Sequence, residues 1–141
     1  MNLKYFLILL ANILIATISL GCDCIMTPIE NHIKETKFIV SGQVVNLLDT
    51  KEEGHYFQTF DSTRSYQVKI KILNSYKGGL EEGQIIELGS DFSNCSFYFE
   101  KNGRYLLFLE KNDNKYYQKH CSYSEKLENA ADNIRVIEEK H

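Results

Sequence analysis

The most regular pattern in the chain is Tyr66-Gln67-Val68-Lys69-Ile70-Lys71-Ile72, in which apolar and polar residues alternate. A period of two places Val68, Ile70 and Ile72 on one face of a β-strand and the intervening polar residues on the other. This strand is therefore expected to have one core face and one solvent face, and Lys77-Gly78-Gly79 is expected to end it. Phe38–Val45 is also strand-like, but its apolar phase shifts after Val44 towards Val45 and Leu47, which predicts a bulge or bend. Ile85–Leu88 predicts a further strand, and Phe97-Tyr98-Phe99 is a third apolar piece. Tyr105–Leu109 is apolar without alternation, as expected of a central strand buried on both faces. The polar stretch 49–64 reads as a long hairpin connection. Asn102-Gly103 predicts a tight turn before Tyr105, and Asn112-Asp113-Asn114 a turn into Lys115–Lys119.

Two segments carry helix signals. At Thr27-Pro28-Ile29-Glu30, Thr27 is positioned to cap, Pro28 suits the first helical position, and Glu30 stands where a capping-box acid belongs. This short helix should end near Thr36. Ser122 with Glu125 suggests a second capping box, and Leu127, Ala130, Ala131, Ile134 and Ile137 share one helical stripe. Short antiparallel strands between two terminal helices predict a mainly β fold, a small closed or nearly closed barrel.

The chain has 141 residues and a formal charge of −3. Residues 1–21 read as a signal peptide and 22–141 as one domain. Lys4 precedes the uncharged run Tyr5–Leu20, which is short for a membrane span of about 20 residues but suits a signal peptide. Ser19 and Gly21 are small residues at the −3 and −1 positions of a cleavage site before Cys22. Ile18-Ser19-Leu20-Gly21-Cys22 also has the form of a relaxed lipobox, so an exported soluble protein and a protein lipid-anchored at Cys22 are both open. Cys22, Cys24, Cys95 and Cys121 make an even count, which in an exported domain suggests two disulfides. A zinc site would call for two close cysteine pairs, and only Cys22-Asp23-Cys24 is close. No metal or cofactor is expected in the isolated protein.

Scattered lysines and a net acidic charge offer no electrostatic footprint for nucleic acid. The aromatic residues Phe97, Tyr98, Phe99, Tyr105, Phe108, Tyr116 and Tyr117 are accordingly assigned to the core and the barrel surface. Signatures of nucleotide-binding and hydrolytic enzymes are missing from the sequence. His32, His55, His120 and His141 show no ligand spacing and read as solvated surface residues. His120 and Cys121 are adjacent, so on a strand they point to opposite faces and do not form a nucleophile pair. No catalytic residue is assigned, and the chain is not read as an enzyme.

Several of these residues together resemble the netrin-like fold and, within it, the N-terminal domain of the tissue inhibitors of metalloproteinases. They are the Cys22-x-Cys24 start, Phe38-x-x-x-Gly42-x-Val44, Tyr76-Lys77-Gly78 after a long alternating strand, Cys95 ahead of Gly103–Phe108, and Cys121 after a polar hairpin strand. The resemblance implies a five-stranded OB-type Greek-key barrel with a short N-terminal helix and a C-terminal helix. It also implies the pairs Cys22–Cys95 and Cys24–Cys121. Bridges closing loops of roughly 70 and 100 residues are each credited with about 4–5 kcal/mol by chain-entropy models.

The function this implies is inhibition of a zinc metalloendopeptidase. In such inhibitors the α-amine and carbonyl of the first cysteine, here Cys22, chelate the protease zinc. The next residue, here Asp23, enters the substrate pocket, and Cys24 anchors the wedge. Three departures stand against the animal inhibitors: their third disulfide and their cysteine-rich C-terminal domain have no counterpart here, and Asp23 replaces a small hydroxyl residue. The alternative is a netrin-like binding or structural module without inhibitory activity, touching a membrane only if Cys22 is lipidated.

Overall fold

A computed structural model describes residues 24–49, 66–89 and 97–140 of the chain. In order they form helix α1 (Ile29–Glu35), strands β1 (Phe38–Asp49), β2 (Tyr66–Lys77), β3 (Ile85–Leu88), β4 (Arg104–Asn112), β5 (Lys115–Gln118) and β6 (Glu125–Lys126), a 3-10 turn (Leu127–Asn129) and helix α2 (Ala131–Lys140). The strand order β1-β2-β3-β5-β4 returns to β1 through a β1–β4 pairing, so five strands close a barrel. This is an OB-type barrel, mainly β, with one short helix near each end.

The alternation in β2 is carried into the structure. Val68, Ile70 and Ile72 are buried, whereas Gln67, Lys69 and Lys71 are exposed. With Val40, Val44, Leu107 and Leu109 they fill the barrel, and Phe38 packs against them. β1 pairs with β2 along its length and with β4 through Phe38–Gln43, so it must bend between two partners. Its register with β2 slips at three points. One slip lies between Val44 and Asn46, where the apolar phase shifts, and the extra residue Val45 is exposed. Gly42 sits where the two strands press closest: a Cβ there would run into Ile70 Cγ2 and lie 3.2 Å from the Lys71 carbonyl oxygen.

β4 is buried on both sides from Tyr105 to Leu109. Tyr105, Leu107 and Leu109 point into the barrel. Leu106 and Phe108 point outward into a second core with Ile39, Ile33 of α1, and Ala130 and Ile137 of the C-terminal region. The edge of β4 opposite β1 is divided, with β5 on Leu109–Asn112 and β6 on Tyr105 and Leu106. The barrel closes at a narrow seam, where Leu88 of β3 pairs in parallel with Tyr116 of β5 and the Gly89 N–H donates to the Tyr116 carbonyl at 2.8 Å.

Both capping boxes are corrected. Pro28, not Thr27, is the N-cap of α1, and no side chain caps the helix. Proline there brings no N–H that needs a partner, and its extended ψ of 144° turns the chain into the helix unaided. The Ser122/Glu125 pair starts no helix, because Glu125 is taken up by β6 and α2 begins only at Ala131. Ser122 Oγ instead accepts from Gln118 Nε2 at 3.2 Å and lies 3.0 Å from Ser124 Oγ. The helical stripe holds for Ala130 and Ile137, which are buried, but Ala131 is exposed. The Phe97–Phe99 piece is not a strand: Phe97 and Phe99 pack edge-on against Tyr105 at 5.4 and 5.1 Å. The polar connection lies outside the described residues apart from Asp49, which ends β1.

Truncating Ile70 to alanine should destabilise the protein by about 2–5 kcal/mol, whereas Lys69→Ala should change little. Denaturant titration of both variants checks this, and equal losses would refute the inward and outward assignment of β2.

Candidate functional site

Cys24 and Cys121 form a disulfide with a Cα–Cα distance of 5.3 Å. Cys121 lies in the turn between β5 and β6 with φ 49°, a left-handed conformation that side chains seldom adopt outside sharp turns. Cys22, Asp23 and Cys95 lie outside the described residues. Of the expected site, the structure brings together Cys24 and Cys121.

Beyond the bridge, the chain runs through Ile25, Met26, Thr27 and Pro28 into α1, and all five residues 24–28 are exposed. Ile25 retains 85% and Met26 46% of its accessible surface. This apolar ridge is held at two places. Cys24 is bridged, and the Thr27 carbonyl accepts a 2.9 Å hydrogen bond from the Tyr123 hydroxyl. Tyr123 in turn packs edge-on against His32 of α1 at 5.2 Å and tilted against Phe108 of β4 at 6.4 Å. The ridge is thus tied through one aromatic ring to both the helix and the barrel wall.

α1 has only seven residues, too few to be stable alone. Ile33 anchors it in the outer core, and the Lys77 ammonium donates to the carbonyls of Ile33 at 2.6 Å and Lys34 at 3.2 Å. These carbonyls lie in the last turn of the helix, where a cation both satisfies and balances the helix dipole. Lys119, two residues before the bridge, reaches Glu35 at 3.4 Å and Glu110 at 4.0 Å. Tyr123 and Lys77 carried no signal in the sequence that would have marked them as supports of the ridge. Ile25-Met26 carried one, being apolar residues directly after Cys-x-Cys in a segment without periodicity.

His32 corrects the reading of the histidines as solvated. It is 6% exposed, and among the described residues neither ring nitrogen has a hydrogen-bond partner; the same holds for Thr36 Oγ1 one turn later. Among the described residues no group of three or more histidine, cysteine or carboxylate side chains could hold a metal ion, and no helix is long and apolar enough to cross a membrane. The disulfide is compatible with an extracytoplasmic location.

Three substitutions probe this assembly. Cys24→Ser with Cys121→Ser should lower stability by about 2–5 kcal/mol, read by thermal or denaturant unfolding. Tyr123→Phe should cost about 0.5–1.5 kcal/mol and speed amide exchange around residues 24–28 more than in β4. His32→Phe should stabilise by about 1 kcal/mol, since it removes unsatisfied buried polar atoms while keeping a ring against Tyr123; a loss of stability would mean that His32 has a partner. No protein-family model matches this chain, and no curated protein matches it by sequence.

Proposed function

We propose that this chain is an exported, single-domain, netrin-like protein that inhibits a zinc metalloendopeptidase through its Cys22 α-amine and carbonyl. The observation that carries the reading is the bridged, exposed ridge at residues 24–28 on an OB-type barrel. It follows directly on Cys22-Asp23 and is anchored at Cys24 and Thr27. A wedge has to be rigid before it binds, because ordering a segment on binding subtracts from affinity. Here the ordering of residues 24–28 is done by the Cys24 disulfide and the Tyr123–Thr27 hydrogen bond within the protein. An α-amine with a pKa near ~7.7–8.0 keeps a useful neutral fraction at physiological pH, and amine and carbonyl together form a five-membered chelate for an open zinc position.

Asp23 sets the specificity. Its carboxylate would enter the protease pocket beside that enzyme's catalytic acid, where an unpaired buried charge is costly. The favoured target therefore offers a basic pocket.

The test assays protein beginning at Cys22 against a panel of zinc endopeptidases, in free-amine and N-acetylated forms, together with Asp23→Ser and Asp23→Thr. Acetylation should abolish inhibition. The hydroxyl variants should inhibit proteases with apolar pockets about tenfold better or more, the effect of removing a buried charge. If no free-amine form inhibits any protease of the panel, inhibition is refuted and the non-inhibitory binding module stands. A mass increment of a diacylglyceryl group on Cys22 would select that module in its lipid-anchored form.

A further inference from the structure

A cavity of about 420 Å³ opens at one end of the barrel, beside the β3–β5 seam. Small-molecule sites fall in the range of roughly 300–1,000 Å³. Val68, Leu88 and Phe99 contribute apolar side chains from the barrel core, and Phe97, Tyr98 and Tyr117 add aromatic ones. The Tyr117 ring lies so close to Gly89 that a Cβ there would collide with it, so a glycine at 89 is what lets the ring sit against this wall.

The charges around the cavity are unequal in their partners. Lys119 is engaged by Glu110 and Glu35. Lys111 has no carboxylate within ion-pair distance among the described residues, and its ammonium rests over the Tyr116 ring at 5.3 Å from the centroid. An aromatic face is a weak partner for a cation at an exposed site, worth about 0.5–1 kcal/mol. Glu110, Asn112, Gln118, Lys119 and His120 complete the lining, so the cavity has one aromatic, apolar wall and one polar side. Among the described residues, an apolar wall beside a cation that no carboxylate engages, Lys111, fits a ligand with an apolar body and a single negative end.

We infer that this cavity binds a small apolar monocarboxylate, its hydrocarbon part against Tyr98, Tyr117 and Phe97 and its carboxylate at Lys111. A cationic amphiphile would meet the lysine unfavourably, and a neutral one would leave it unpaired. The inference is independent of the inhibitor reading, since the cavity uses neither Cys22 nor Asp23.

The probes are the straight-chain carboxylates from hexanoate to dodecanoate, with 1-decanol and decylammonium for charge, titrated calorimetrically into the full mature protein. Affinity should rise about fourfold per methylene (about 0.8 kcal/mol) until the cavity is full and then level off. Decanoate should bind more tightly than decanol, and decylammonium most weakly. Lys111→Gln should weaken decanoate about threefold to fivefold and leave decanol unchanged. Tyr98→Ala should weaken both, and Tyr98 is exposed enough (46%) for the variant to fold, which its melting curve verifies. Failure of decanoate to bind at millimolar concentration would overturn the inference. So would equal affinity for the three head groups, or decanoate binding that neither substitution weakens.

Discussion

Because β4 is dry on both faces from Tyr105 to Leu109, the rest of the molecule is arranged around it. A strand with only one buried face can close a small barrel, but it offers nothing to a second layer. The run Tyr105–Leu109 supplies both: Tyr105, Leu107 and Leu109 complete the interior, while Leu106 and Phe108 form the floor on which α1 and α2 meet. Neither helix could persist in isolation at seven and ten residues. Their stability is therefore borrowed from the outward face of this strand, and anything attached to α1 inherits its position from the same source.

That inheritance reaches the ridge through short connections. Ile33 seats α1, Lys77 closes its last turn from the end of β2, and Tyr123 joins Thr27, His32 and Phe108. Elsewhere ion pairs add little, as exposed pairs generally do. The Glu100 carboxylate raises the Lys126 ammonium above its ordinary pKa, chiefly by hydrogen bonding to it at 2.9 Å, yet both side chains are exposed and solvent screens the pair.

Strands were legible in the sequence where their burial is periodic. The alternation of β2 and the unbroken apolar run of β4 report directly on one wet face and on none, and the phase shift after Val44 marks the bulge at Val45. Helix starts were not legible. Thr27/Glu30 and Ser122/Glu125 have capping-box spacing, but local hydrogen-bond potential lost to tertiary demands. Pro28 ends the ridge in an extended conformation, and Glu125 is needed to pair with Leu106. His32 was misread for a similar reason. A lone histidine in a seven-residue helix gives no sign of which face will be covered, and the covering ring, Tyr123, comes from a turn 91 residues later. The Cys24–Cys121 bridge was reached through resemblance to a family, not through spacing, since four cysteines admit three pairings.

The bridge is best understood through the segment it holds rather than through the barrel. Chain-entropy models credit a loop closed over 97 residues with a large global stabilisation, but a barrel with two continuous cores does not depend on a staple to define its topology. Residues 24–28 have no such resource. They are exposed throughout, so burial offsets none of the roughly 1–2 kcal/mol per residue that ordering a backbone costs. Within that segment, what opposes disorder is the Cys24 bridge at one end and the Tyr123–Thr27 hydrogen bond and α1 at the other. A protein that needed only its fold would gain by letting these residues fray and by hiding Ile25. Holding an apolar side chain out in water on a covalently fixed backbone makes sense when another surface completes its burial, and that is the physical ground for reading this end of the molecule as the one that meets a partner.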